Sequence, residues 1–144
     1  MSYRTRDQLI ADFIALETQY PTLVSHESIG KTVQGRDINL WKIGNPNGGR
    51  IWYNQTHGDE VLGSEVYYYY VRWLLENREP GISDRILSRN YSLICTPFHD
   101  YYGQRPLGKR KNANLVDLNR NFSKSWRTDC VTPYCVDCCL TSTD

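Results

Sequence analysis

His57-Gly58-Asp59-Glu60 sets an imidazole and a carboxylate within four residues, just after an apolar run and just before a long apolar-periodic one. Both groups are zinc ligands, and a catalytic zinc takes three protein ligands plus water. At a strand end the two can face one ion if Gly58 lets the backbone turn sharply. Alone, the pattern is a weak one and reads first as a surface turn with a Glu near the positive end of a helix. A second cluster runs from Arg110 to Phe122 and packs three Arg/Lys and four Asn into thirteen residues. Its plain alternative is a solvated basic loop. Guanidinium forks bind carboxylates bidentately, and Asn adds a neutral donor beside them. Asn119 with Arg120 therefore suits a carboxylate, and Arg110, ten residues earlier, suits an oxyanion. Asp117 has three readings: it orients His57 through the second ring nitrogen, braces Arg120, or caps a turn.

These residues need elements to hold them. Thr5-Arg6-Asp7-Gln8 has the form of a capping box, and Leu9, Ile10, Phe13, Ile14 and Leu16 follow at helical spacing until Pro21. Val24–Ile29 and Asp37–Ile43 read as two strands joined by a glycine-containing turn. Asn45-Pro46-Asn47-Gly48-Gly49 is a turn cluster. Ile51–Gln55 reads as a short strand that delivers His57, and Val61–Asn77 as a tyrosine-rich helix. A further helix is expected over Ile82–Ser88 and a buried strand over Tyr91–Thr96. Pro97–Phe122 is expected to be mostly loop, with an ordered stretch near Leu115–Leu118. Strands alternating with helices point to an α/β layered fold.

The 144 residues suit one domain, and 40% hydrophobic with 23% charged residues is ordinary for a globular protein. A net charge of +1 gives no electrostatic reason to expect nucleic acid or a membrane surface as partner. No apolar run approaches the roughly 20 residues of a membrane-spanning helix. The first residues show no export signal. With an odd count of five cysteines, this favours a reducing, cytoplasmic setting. Four of those cysteines, Cys130, Cys135, Cys138 and Cys139, crowd a compositionally distinct tail over residues 123–144. Their irregular spacing favours incidental cysteines over a zinc knuckle.

Gln55-Thr56-His57-Gly58-Asp59-Glu60 resembles the first zinc-ligand motif of the zinc carboxypeptidases. Asn112–Phe122 resembles that family's substrate-binding motif, especially in its carboxypeptidase N/E-like and bacterial members, and Gly30–Ile38 looks like its early hairpin. The three occur in family order. The resemblance implies an α/β, three-layer, mixed-sheet zinc-carboxypeptidase-like fold, incomplete, with residues 1–122 forming the N-terminal half of a catalytic domain. It implies Zn2+ held by His57 and Glu60, an oxyanion stabilised by Arg110, and the C-terminal carboxylate of a peptide held by Asn119 and Arg120.

The chain also departs from the family pattern. The family's third zinc ligand is a His beyond the Asn-Arg clamp, and here His26, His57 and His99 all precede it. The family's general base is a late Glu, and no Glu follows Phe122. Phe98–Gly103 stands where the family has an Asn-Pro-Asp-Gly turn. The expectation is a truncated metallocarboxypeptidase with weak or no activity of its own, since loss of a positioned base costs about 10²–10⁴-fold. Self-association through an exposed sheet edge is expected as well. Two other functions fit the motifs: an aspartoacylase-like deacylase, and a non-catalytic module that binds C-terminal carboxylates.

Overall fold

In the computed structural model, α1 (Arg6–Gln19) opens on the expected capping box: Gln8 N–H donates to Thr5 Oγ1 at 3.2 Å, and Thr5 N–H to Gln8 Oε1 at 2.8 Å. The helix ends before Pro21, where Tyr20 N–H returns to the Leu16 carbonyl. Leu9, Phe13 and Leu16 fall on one face and are buried. The structure describes residues 3–44, 50–53, 55–77, 81, 83–88, 91–94 and 110–121. The expected turn at 45–49, the segments at 95–109 and the cysteine-rich tail lie outside them.

β1 (Val24–Lys31) and β2 (Asp37–Ile43) form the expected antiparallel hairpin. Gly35 makes its turn possible, with φ of 78° where a side chain would be strained. β3 (Arg50–Tyr53) and β4 (Tyr91–Ile94) complete a mixed sheet in the order β1-β2-β4-β3. β4 runs antiparallel to β2 and parallel to β3. That parallel pair requires a crossover, supplied by α2 (Val61–Glu76) and α3 (Ser83–Ser88). The strand expected over Ile51–Gln55 stops earlier, and Gln55 lies outside it.

Trp41 and Trp52 are both in register with Leu93, so they share a face of the sheet. Phe13 stacks on Trp41 with ring centroids 5.0 Å apart, and Tyr68 of α2 meets Phe13 edge-on at 5.6 Å. Trp52 stacks on Tyr70 of α2 at 6.0 Å. α1 and α2 therefore cover one face. α3 joins the same core through Leu87. Its backbone comes so close to Gly44 (φ 83°) that a Cβ there would lie 2.2 Å from the Leu87 carbonyl oxygen. On the other face, Lys42 pairs with Glu27 at 2.9 Å. Among the described residues α1, α2 and α3 all pack with the Trp41 core, so the described part of the expected three-layer fold shows the sheet and one helical layer.

Arg4 ties α1 to α2. It pairs with Asp12 at 2.6 Å and with the buried Glu65, and lies 4.3 Å above the Tyr68 ring. Among the described residues no helix is long and apolar enough to cross a membrane.

Candidate functional site

The crossover from β3 into α2 carries the first half of the site, because the chain must turn out of the sheet there before it can start a helix. Gln55 makes that turn. It takes a left-handed φ of 54°, a conformation that costs a non-glycine residue on the order of 1 kcal/mol or more. A bend thus falls at Gln55, two residues before His57.

His57 follows, 3% exposed. Its Nδ1 lies 2.9 Å from Glu60 Oε1, and its backbone N–H donates to Glu60 Oε2 at 3.1 Å. Glu60 sits at the N-terminus of α2, and its own N–H returns to the His57 carbonyl at 3.2 Å. The two residues expected to share an ion are thereby brought side by side.

The second half comes from residues 110–120. Asn112 shapes this loop: its Oδ1 accepts from the N–H groups of Asn114 and Val116, both at 3.0 Å. Leu115 takes a left-handed φ of 64°, so the order expected near Leu115–Leu118 is a tight loop leading into a 3-10 helix at Leu118–Arg120. Asp117 caps that helix, accepting from Asn119 N–H at 3.0 Å.

Asp117 is also the joint between the halves. It is 3% exposed. Its Oδ1 lies 3.1 Å from His57 Nε2, and its Oδ2 accepts from Arg110 Nε at 2.8 Å. Of the three readings open from sequence, two hold together: it orients His57 and caps a turn. Its bond to Arg110 was missed, although Asp117 is the sole acid in a thirteen-residue run with three cations.

Electrostatics follow from these contacts. Burial pushes the Asp117 carboxyl up, but hydrogen bonds from Arg110 and His57 outweigh it and leave the group below its ordinary value. Burial likewise pushes Glu60 up, and the hydrogen bonds and charge of His57, with the charge of Arg110, bring it below the usual range. Both carboxylates are therefore anionic at neutral pH. Each faces one nitrogen of the same imidazole. With Nε2–H given to Asp117, Nδ1 and the Glu60 oxygens face one another, a nitrogen and an oxygen of the types that zinc takes as ligands. Orientation of a metal-bound His by a carboxylate on its other nitrogen is the usual arrangement in zinc proteins.

Among the described residues no third His, Cys, Asp or Glu joins the pair. His26 is occupied on β1, 2.7 Å from Glu17 and stacked on Trp41. His99 and the Arg120 side chain lie outside the described residues. Arg110 and the Asn119 backbone are linked to His57 through Asp117.

A protein-family model described as zinc carboxypeptidase matches residues 9–137. Carboxypeptidase D of Drosophila melanogaster is 32% identical over 135 residues, which cover 80% of this chain and 9% of that protein. Carboxypeptidase M of Mus musculus is 26% identical over 145 residues, covering 90% of this chain and 33% of that one. The structure of bovine thrombin-activatable fibrinolysis inhibitor in complex with tick carboxypeptidase inhibitor superposes with a TM-score of 0.71 at 19% identity, over 87% of this chain and 45% of that one. At that identity the likeness concerns the fold, and the chain spans a minor part of each of these proteins.

Proposed function

The chain belongs to the zinc carboxypeptidase family, and from that premise we propose that its His57–Asp117 junction serves a metallocarboxypeptidase that removes C-terminal residues from peptides. The observation that carries this reading is the convergence of His57 Nδ1 and Glu60 Oε1, 2.9 Å apart, with Asp117 holding the opposite ring nitrogen. His57 and Glu60 would hold Zn2+. When bound, zinc supplies a Lewis acid at the scissile carbonyl.

The chain's own residues supply the rest of the reading. Asp117 fixes the His57 ring and takes the Nε–H of Arg110. The outer nitrogens of Arg110 are donors of the kind suited to an oxyanion, where preorganised charge stabilises a developing negative oxygen. Asn119 and Arg120, on the 3-10 helix that Asp117 caps, would receive the terminal carboxylate. A cation built to meet a carboxylate disfavours a peptide without one, which is how an exopeptidase selects chain ends. Calorimetry with a short peptide and its C-terminal amide tests the clamp. The free acid is expected to bind and the amide to bind at least 10-fold more weakly, about 1.4 kcal/mol or more; equal binding would remove the clamp from the reading.

The outer strands of the sheet support a reading of assembly. β1 and β3 are its outer strands among the described residues, and we propose self-association along such an edge. Sedimentation velocity over a concentration series is expected to show a growing heavier species. A single monomer peak throughout would rule it out.

A further inference from the structure

Between the two residues that carry the proposed metal site and the helix that follows them lies a buried polar bond the proposed chemistry does not use. Ser64, in the first turn of α2, donates its Oγ–H to Gln55 Oε1 at 3.1 Å, nine residues back in the chain. Both side chains are buried, Ser64 fully and Gln55 to 4% exposure. The segment they close contains both His57 and Glu60.

Gln55 occupies this position against two penalties. Its φ of 54° is left-handed, and its buried Nε2 meets no hydrogen-bond acceptor among the described residues. A glycine would avoid the first and an apolar side chain the second. Backbone strain of this kind persists where the surroundings over-determine it, and it concentrates at functional sites. Here the surroundings are the Ser64 bond on one side and the hydrogen-bonded His57–Glu60 turn on the other.

We infer that Gln55 and Ser64 form a positioning pair that holds the turn bearing His57 and Glu60 in the geometry needed to share one ion. Neither residue touches that ion. Gln55 sets the direction in which the chain leaves the strand, and Ser64 anchors it to the helix whose N-terminus presents Glu60. The functional meaning rests on the proposed metal reading, whereas the mechanical claim stands on the turn itself.

Two variants of the 144-residue chain separate positioning from general stability. Gln55→Gly removes the side chain while relieving the left-handed strain, and Ser64→Ala removes only the hydroxyl. Amide hydrogen exchange is read residue by residue. In either variant the amides of His57 and Glu60 are expected to exchange about 5-fold faster or more, the factor that one ordinary hydrogen bond gives. Amides of β2 are expected to keep their wild-type rates. The double variant should match the single ones, because one bond is lost in every case. Unchanged exchange at His57 and Glu60, or an equal acceleration in β2, overturns the pair as a positioning device. A parallel Co2+ titration should show affinity lowered about 10-fold in both variants, as for other outer supports of metal ligands. A wild-type chain that takes up no Co2+ overturns the metal reading alone, and the exchange rates still decide the positioning claim.

Discussion

The hairpin end of the molecule and the junction at His57 are held by opposite kinds of force. At the hairpin end, Phe13, Trp41, Leu9 and Val24 are fully or almost fully buried, and rings stack on rings. Apolar burial there is non-directional and roughly additive in area, so many contacts share the load. At the junction, one aspartate accepts from His57, Arg110 and the Asn119 backbone at once. Each of those bonds has a direction, and losing the shared partner strands several groups together. The hairpin end should therefore decide whether the chain folds, and the junction whether the folded chain can bind.

Removing a ring from the hairpin end should produce the largest loss. Phe13→Ala deletes a side chain packed against Trp41 and Tyr68. It is expected to cost about 3–5 kcal/mol, read as a lower midpoint in urea unfolding. A loss below ~1 kcal/mol would mean that the core lies elsewhere.

Asp117→Ala comes next. It leaves His57 Nε2 and Arg110 Nε without their buried acceptor and is expected to cost about 1–3 kcal/mol of stability. The same substitution should weaken metal binding by about 10–100-fold. Phe13→Ala, in whatever fraction remains folded, should leave metal binding near the wild-type value. If both variants moved stability and metal affinity in proportion, the contrast between the two regions would fail.

The smallest effect is a pH dependence at the same carboxylate. In the folded chain Asp117 is held below its ordinary value, since the Arg110 and His57 hydrogen bonds outweigh burial. A depressed carboxyl contributes stability that is present above its unfolded value and is lost as pH falls through its folded value. Wild-type stability should thus decline on acidification from about pH 4 downward, and Asp117→Asn should flatten that decline. Identical acid profiles would place the stabilising charge on another group.

The same contrast explains what could be read from the sequence. Periodicity carries the apolar end: Leu9, Phe13 and Leu16 mark the face of α1, and Thr5 with Gln8 announces its start. Val61 to Asn77 was expected as a helix, and α2 spans Val61–Glu76. Residue type singled out His57, Glu60 and Arg110, and the structure brings the three together around Asp117. Geometry was less legible. Gln55 looks like a strand residue by type, yet it takes a left-handed turn because the chain must leave the sheet toward α2. Asp117 had three local readings, and only the approach of segments sixty residues apart joins two of them in one side chain. Directional bonds between distant segments leave no period in a sequence.

Sharing of one metal ion by His57 and Glu60 is tested most directly by Co2+ binding to the 144-residue chain. The predicted result is one ion per chain, lost in His57→Ala and in Glu60→Ala and retained when Cys130, Cys135, Cys138 and Cys139 are changed to Ser. An unchanged stoichiometry without His57 and Glu60, or no binding by the wild-type chain, would contradict it.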